Sequence, residues 1–164
     1  MLKKIVLFAL LLLPLGAFAQ EKIAYFNPQE IYVIMPEFKQ MQDSLQRTQL
    51  EMEKELKMLQ DEHIQKTQAL MNESDGLLES TKLRRLQEIN GLEERINLTS
   101  EQFQQALGQL QQALAIPIQK KVQDAIQAVG AANNFLYILD AAALLYVSPN
   151  AVDATQLIQK HLKL

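Results

Sequence analysis

EFKQMQDSLQRTQLEMEKELKMLQDEHIQKTQALMN, residues 37–72, and LLESTKLRRLQEINGLEERINLTSEQFQQALGQLQQAL, residues 77–114, decide the fold of this chain. In the first stretch Phe38, Met41, Leu45, Thr48, Met52, Leu56 and Leu59 recur at spacings of three and four, the period that lines up one face of an α-helix. In the second, Ile89, Ile96, Phe103 and Leu110 recur every seven, flanked by Leu92, Leu107 and Leu114. The stripe is narrow, and the remaining positions are mostly Glu, Gln, Lys and Asp. That is the pattern of a two-helix seam rather than the broad apolar face of a globular helix. The two stretches also mirror each other. Pairing residues whose numbers sum to 148, from Ile34–Leu114 to Met71–Leu77, matches apolar with apolar ten times, against two to four for the other sums tried. The expectation is an antiparallel helical hairpin reversing in Asn72–Gly76, where Asn, Asp and Gly tolerate left-handed backbone. Phe38, Met41, Leu45, Met52, Leu56 and Leu59 then form a seam with Ile89, Leu92, Ile96, Phe103, Leu107 and Leu110. At ~1.5 Å per residue the first helix spans roughly 54 Å. It is too long and thin for an enzyme body and has the proportions of an arm.

Working outward, Glu21–Phe26 alternates and carries β-favouring residues, which predicts a short strand ended by Asn27-Pro28. Gln29–Met35 reads as a short helix or turn, and Pro36 suits the first position of a helix. Beyond the hairpin, Pro117 should kink or restart the helix. Ile118, Val122, Ile126 and Val129 then continue a helical spacing to Gly130. Residues 134–139 and 142–147 are apolar and aromatic, which predicts two strands with a tight turn near Asp140. Asp153 should cap a closing helix, with Gln156 completing a partial capping box. The hairpin brings its own ends together, so the strand at 21–26 can join the sheet at 134–147. The fold class is α+β, mostly α: a long antiparallel helical hairpin, the coiled-coil arm, projecting from a small β body that oligomerises. The arm is expected over 37–114 with its tip near 72–76, and the body over 20–36 and 115–164. A sheet this small has exposed edges that invite pairing with other copies.

Residues 1–19 have the layout of an export leader: Lys3 and Lys4, an apolar run at 5–13, then Ala17-Phe18-Ala19 as a cleavage site. Cleavage after Ala19 starts the mature chain at Gln20. Losing Lys3 and Lys4 takes the formal charge from −3 to −5. An acidic chain is a poor partner for nucleic acid or anionic lipid surfaces. Cysteine is absent, so there is no disulfide, no thiol nucleophile and no thiolate metal site.

No catalytic constellation is present, and no cofactor or metal site is expected. His63 and His161 lie far apart without partners. Glu51, Glu53 and Glu55 alternate along a helix and so point apart. The glutamines at 104, 105, 109, 111 and 112 belong to a solvated helix surface. What remains are apolar residues off the seam: Leu50, Met58, Ile64, Met71, Leu83 and Leu98. These are candidates for contacting a non-specific client, with Met58 and Met71 supplying adaptable side chains.

The layout resembles one family. The matching pieces are the leader, Lys22-Ile-Ala-Tyr-Phe26, the hairpin, Pro117-Ile118 with Lys121-Val122-Gln-Asp-Ala-Ile126, Asn134-Phe-Leu-Tyr-Ile-Leu-Asp140, Val147-Ser-Pro149 and Asp153-Ala-Thr155. Together they resemble the Skp/OmpH family of periplasmic chaperones over the entire mature chain. The resemblance implies a homotrimer with a body of strands and three projecting arms. It also implies an ATP-independent periplasmic holdase that keeps unfolded outer-membrane β-barrel proteins from aggregating. Members best known for binding lipopolysaccharide are strongly basic; this chain is acidic, which argues against direct membrane or lipopolysaccharide binding. The alternative is a structural coiled-coil scaffold or spacer of the cell envelope.

Overall fold

The computed structural model describes residues 22–164; the expected leader at 1–19 lies outside the described residues. Lys22–Phe26 is strand β1, with Ala24 and Phe26 turned into the core. Asn27 ends it. Its side chain accepts the Gln29 N–H at 3.1 Å and donates to Glu30 Oε1 at 2.7 Å. That turn opens the short helix α1, Pro28–Tyr32. Helix α2 is Pro36–Glu73, with proline at its first position, where the missing N–H costs nothing. A 3-10 turn at Ser74–Gly76 reverses the chain into α3, Glu79–Asn133. Strand β2 is Phe135–Asp140, β3 is Val152–Asp153, and α4 is Thr155–Leu162.

The chain divides into two compact units. Of the described residues, one holds 22–31 together with Gln123–Leu164; the other is Tyr32–Val122.

In the first unit β1 is the central strand of a three-stranded sheet ordered β2-β1-β3. Both pairings are parallel. Ile23 to Phe26 run against Tyr137 to Asp140, and Ala24 and Tyr25 against Val152 and Asp153. The last turns of α3 and helix α4 bring Ala125, Val129, Ala154 and Ile158 into the core beside Ala24, Phe26 and Ile31. Polar groups lock this closure. Ala154 N–H donates to the Tyr25 carbonyl at 2.8 Å, and Asn27 N–H to Thr155 Oγ1 at 2.9 Å. Asp153 Oδ1 accepts the Thr155 N–H at 2.8 Å. Tyr25 keeps its proton more firmly than usual, because of desolvation and then the neighbouring Asp153 carboxylate.

Three expectations are corrected here. The predicted strand at 142–147 does not form. Asp140 Oδ1 accepts the Ala142 N–H at 2.8 Å and starts a 3-10 turn at Ala141–Ala143. An alanine run favours helical backbone over strand, so no hairpin follows β2, and the third strand is β3, beyond Pro149. Asp153 does accept an N–H where α4 begins, but the N-cap position is Ala154, one residue later, and it has no side-chain cap. Finally, α3 neither restarts at Pro117 nor ends at Gly130. It runs unbroken through both to Asn133, and Asn134 stops it at φ 55°, a left-handed conformation that asparagine accepts.

The second unit is α2, the turn and α3 as far as Val122. Its buried apolar residues are Met35, Leu59, Ile89, Leu92, Ile118 and Val122.

Thr155 is almost fully buried and its hydroxyl serves a backbone N–H 128 residues away. Thr155→Val keeps the volume and removes the acceptor. It is expected to destabilise the chain by about 1–3 kcal/mol, while Thr155→Ser loses less; thermal unfolding followed by circular dichroism checks the order.

Candidate functional site

Exposed apolar side chains recur along α2 and α3 beside a stripe that is withdrawn from solvent. Along α2, Met41, Leu45, Thr48, Met52, Leu56, Leu59, His63, Lys66 and Leu70 are the positions withdrawn from solvent at the three-and-four spacing. The twelve residues expected on the seam are all half-buried or buried, with Leu59, Ile89 and Leu92 the deepest at 8% exposure.

Toward the tip the stripe turns polar. His63 and Lys66 on α2, and Lys82, Arg85 and Glu88 on α3, occupy half-buried positions. Ion pairs take over from apolar packing. Lys66 Nζ lies 3.4 Å from Glu62 and 3.5 Å from Glu88, and Arg84 lies 2.6 Å from Glu88. Arg85 reaches Glu73 at 2.7 Å. Exposed pairs of this kind each contribute about 0–1 kcal/mol.

The ion pairs between the helices also set their register. Glu37–Lys121, Lys66–Glu88 and Glu73–Arg85 have numbers that sum to 158, 154 and 158. The mirror sum of 148 is therefore displaced by about one heptad. Ile34, expected to face Leu114, is exposed, while Leu114 lines a cavity with Met41. A slip of one heptad keeps the same helix faces together, so the buried stripe survives although the partners change.

At the open end of the hairpin the Tyr32 and Phe38 rings stack 5.6 Å apart. Next to the Glu37–Lys121 ion pair lies a cavity of about 450 Å³, lined by Met41, Leu114, Pro117 and Ile118 among others. The hydrogen bond from Lys121 holds the Glu37 carboxyl below its ordinary range, while the second oxygen, Oε2, is buried without a partner.

The six off-seam candidates are all exposed. Leu50, Met58, Ile64, Met71, Leu83 and Leu98 each show half or more of their surface. Leu78 and Leu86 join them near the tip, and Ile116 nearer the open end. Those three were absent from the sequence-based set. Midway along, a groove of about 510 Å³ is bounded by Gly91, Leu98 and Phe103, with Glu55, Glu94 and Arg95 at its rim.

Chemically this surface offers apolar contact and weak charge. The histidines belong to different elements, His63 to α2 and His161 to α4. Among the described residues no group of three or more His, Asp or Glu side chains could hold a metal ion. Among them, too, no helix is long and apolar enough to cross a membrane.

Comparison with known proteins adds two findings. The family described as Outer membrane protein (OmpH-like) matches residues 22–162. The crystal structure of a protein from Caulobacter crescentus CB15, proposed to be an OmpH-like outer membrane chaperone, superposes with a TM-score of 0.76 at 14% identity. The match covers 85% of this chain and 82% of that one, and at this identity it speaks to the fold. No curated protein sequence matches the chain.

Two outcomes are expected. Leu45→Asp and Phe103→Asp each put an unpaired charge against apolar neighbours and should lower the melting temperature by circular dichroism; an unchanged profile counts against the seam. Glu37 has a depressed folded pKa, so the unfolded chain binds the extra proton. Its contribution is complete above the ordinary value of 4.5 and is lost as pH falls through the lower folded value. Glu37→Gln should therefore flatten the fall in stability below that pH, measured by urea unfolding across the acid range.

Proposed function

We propose that this chain, which belongs to the OmpH-like outer membrane protein family, is an ATP-independent holdase chaperone for unfolded outer-membrane proteins. Family membership supports a chaperone role in general. The observation that carries the finer reading is the double character of the hairpin. One stripe of α2 and α3 is withdrawn from solvent, while Leu50, Met58, Ile64, Met71, Leu83 and Leu98 stay open. A holdase has to cover aggregation-prone segments of many sequences and release them again. Scattered, adaptable apolar contacts meet that need, because each is weak and replaceable. Nothing in this cycle requires a chemical step.

Self-association belongs to the same proposal. Strand β2 sits at an edge of the sheet, and Leu136, Tyr137 and Leu139 on it are exposed. Leu145 and Tyr146, just beyond, are among the most exposed apolar residues of the chain. An apolar edge of this kind is a template for another copy, and a homotrimer is the assembly put forward. The site of action is the periplasm, after export and removal of residues 1–19. Because the chain is acidic, anionic lipid and lipopolysaccharide are not put forward as partners.

The test is the mass of Gln20–Leu164 in solution, alone and after dilution of a denatured outer-membrane β-barrel protein into it, by light scattering on a sizing column. A trimer that gains about one client is expected. A trimer that leaves the client to aggregate points to an envelope scaffold instead, and a monomer removes the argument from the sheet edge.

A further inference from the structure

Glycine inside a helix costs about 1 kcal/mol relative to alanine. It is normally kept because another part of the fold passes too close for a side chain. Gly91 lies well inside α3, yet a Cβ there would meet no atom within 4 Å. The fold itself does not need this glycine. Gly91 instead lines the groove of about 510 Å³ that Leu98 and Phe103 also bound. Leu98 is half exposed at this groove and Phe103 half-buried, so the groove has an apolar wall that the chain leaves uncovered.

The groove is lined by charges as well as by apolar groups. Among the described ion pairs and hydrogen bonds none involves Glu55, Glu94 or Arg95, although all three line the groove. Two carboxylates against one guanidinium leave it net negative. Carboxylates facing an apolar recess complement a cation next to an apolar group.

We propose that this groove is a client-anchoring site, taking one large apolar or aromatic side chain of an unfolded polypeptide that has a lysine or arginine beside it. The inference rests on the holdase reading and gives it a located contact and a charge preference. Gly91 would then be the residue that makes room, and Glu55 and Glu94 the residues that select the basic neighbour.

The experiment uses the full mature chain and a denatured, tryptophan-containing β-barrel protein. The chain has no tryptophan, so indole emission reports the client alone. Gly91→Leu fills the groove. Gly108→Leu is the control: it gives the same gain in helix propensity at a position where a Cβ also meets nothing within 4 Å. Glu55→Lys/Glu94→Lys reverses the rim. The expected result is about a fivefold loss of client affinity for Gly91→Leu and for the double reversal, little change for Gly108→Leu, and undiminished helicity in all three. Unchanged affinity in Gly91→Leu while the parent still holds the client overturns the groove and leaves the holdase reading standing. An equal loss in Gly108→Leu overturns it too, because the cause would then be a stiffer helix. If the parent itself fails to hold the client, both readings fall.

Discussion

The parallel pairing of β1 with β2 constrains everything between them. Parallel neighbours cannot be joined by a tight turn, because the chain leaves one end of the first strand and has to enter the second from the opposite end. Between Phe26 and Phe135 the chain makes a long excursion through α2 and α3 and returns. The last turns of α3, Gln123–Asn133, supply the remaining distance: eleven helical residues cover about 17 Å, and a five-residue strand covers about the same. Ala125 and Val129 on those turns are buried. This stretch therefore acts as the crossover helix of a βαβ unit, with a hairpin inserted ahead of it. Helix α3 runs on through Pro117, and the chain accepts the proline's lost hydrogen bond there.

How much of this was legible depends on the range of each interaction. The hairpin could be read because a seam is written in spacing: Met41, Leu45, Met52 and Leu56 declare their helix face without reference to any partner. Register is not written that way. A heptad pattern looks the same after a slip of seven, so the mirror sum could not tell one height from another. The ion pairs of Glu37, Lys66 and Glu73, which distinguish the heights, lie outside an apolar count. The sheet failed for a different reason. Leu144 to Val147 has the composition of a strand, but the Asp140 side chain captured the Ala142 N–H and turned the chain before pairing could start. The two-residue strand Val152–Asp153 carries too little composition to be seen. It is held by contacts made through Ala154 and Thr155 with Tyr25 and Asn27. The candidate contact residues were legible in the negative sense: being apolar and out of step with the seam was enough to predict exposure, though not what they touch.

The hairpin also changes chemical character along its length. Near its middle Leu59, Ile89 and Leu92 exclude water almost completely, while nearer the tip Lys66, Glu88, Arg85 and Glu73 do the bridging. Apolar layers respond little to ionic strength and charged ones respond strongly. The outer part of the hairpin is therefore sensitive to salt, as is the Glu37–Lys121 pair at the open end, and it is in the outer part that Ile64, Met71, Leu78, Leu83 and Leu86 are exposed.

The hydrogen bond from Asn27 N–H to Thr155 spans 128 residues, and this has a consequence for how the molecule is made. Contacts inside the hairpin are close in sequence near its turn and can form early, zipping away from residues 74–76. Contacts of the sheet join Lys22–Phe26 to strands more than a hundred residues later in the chain, and separations of that order slow folding. Strand β1 precedes the hairpin in the chain, yet both of its neighbours, β2 and β3, follow the hairpin. The unit that carries the apolar sheet edge can close only when both ends of the polypeptide are present.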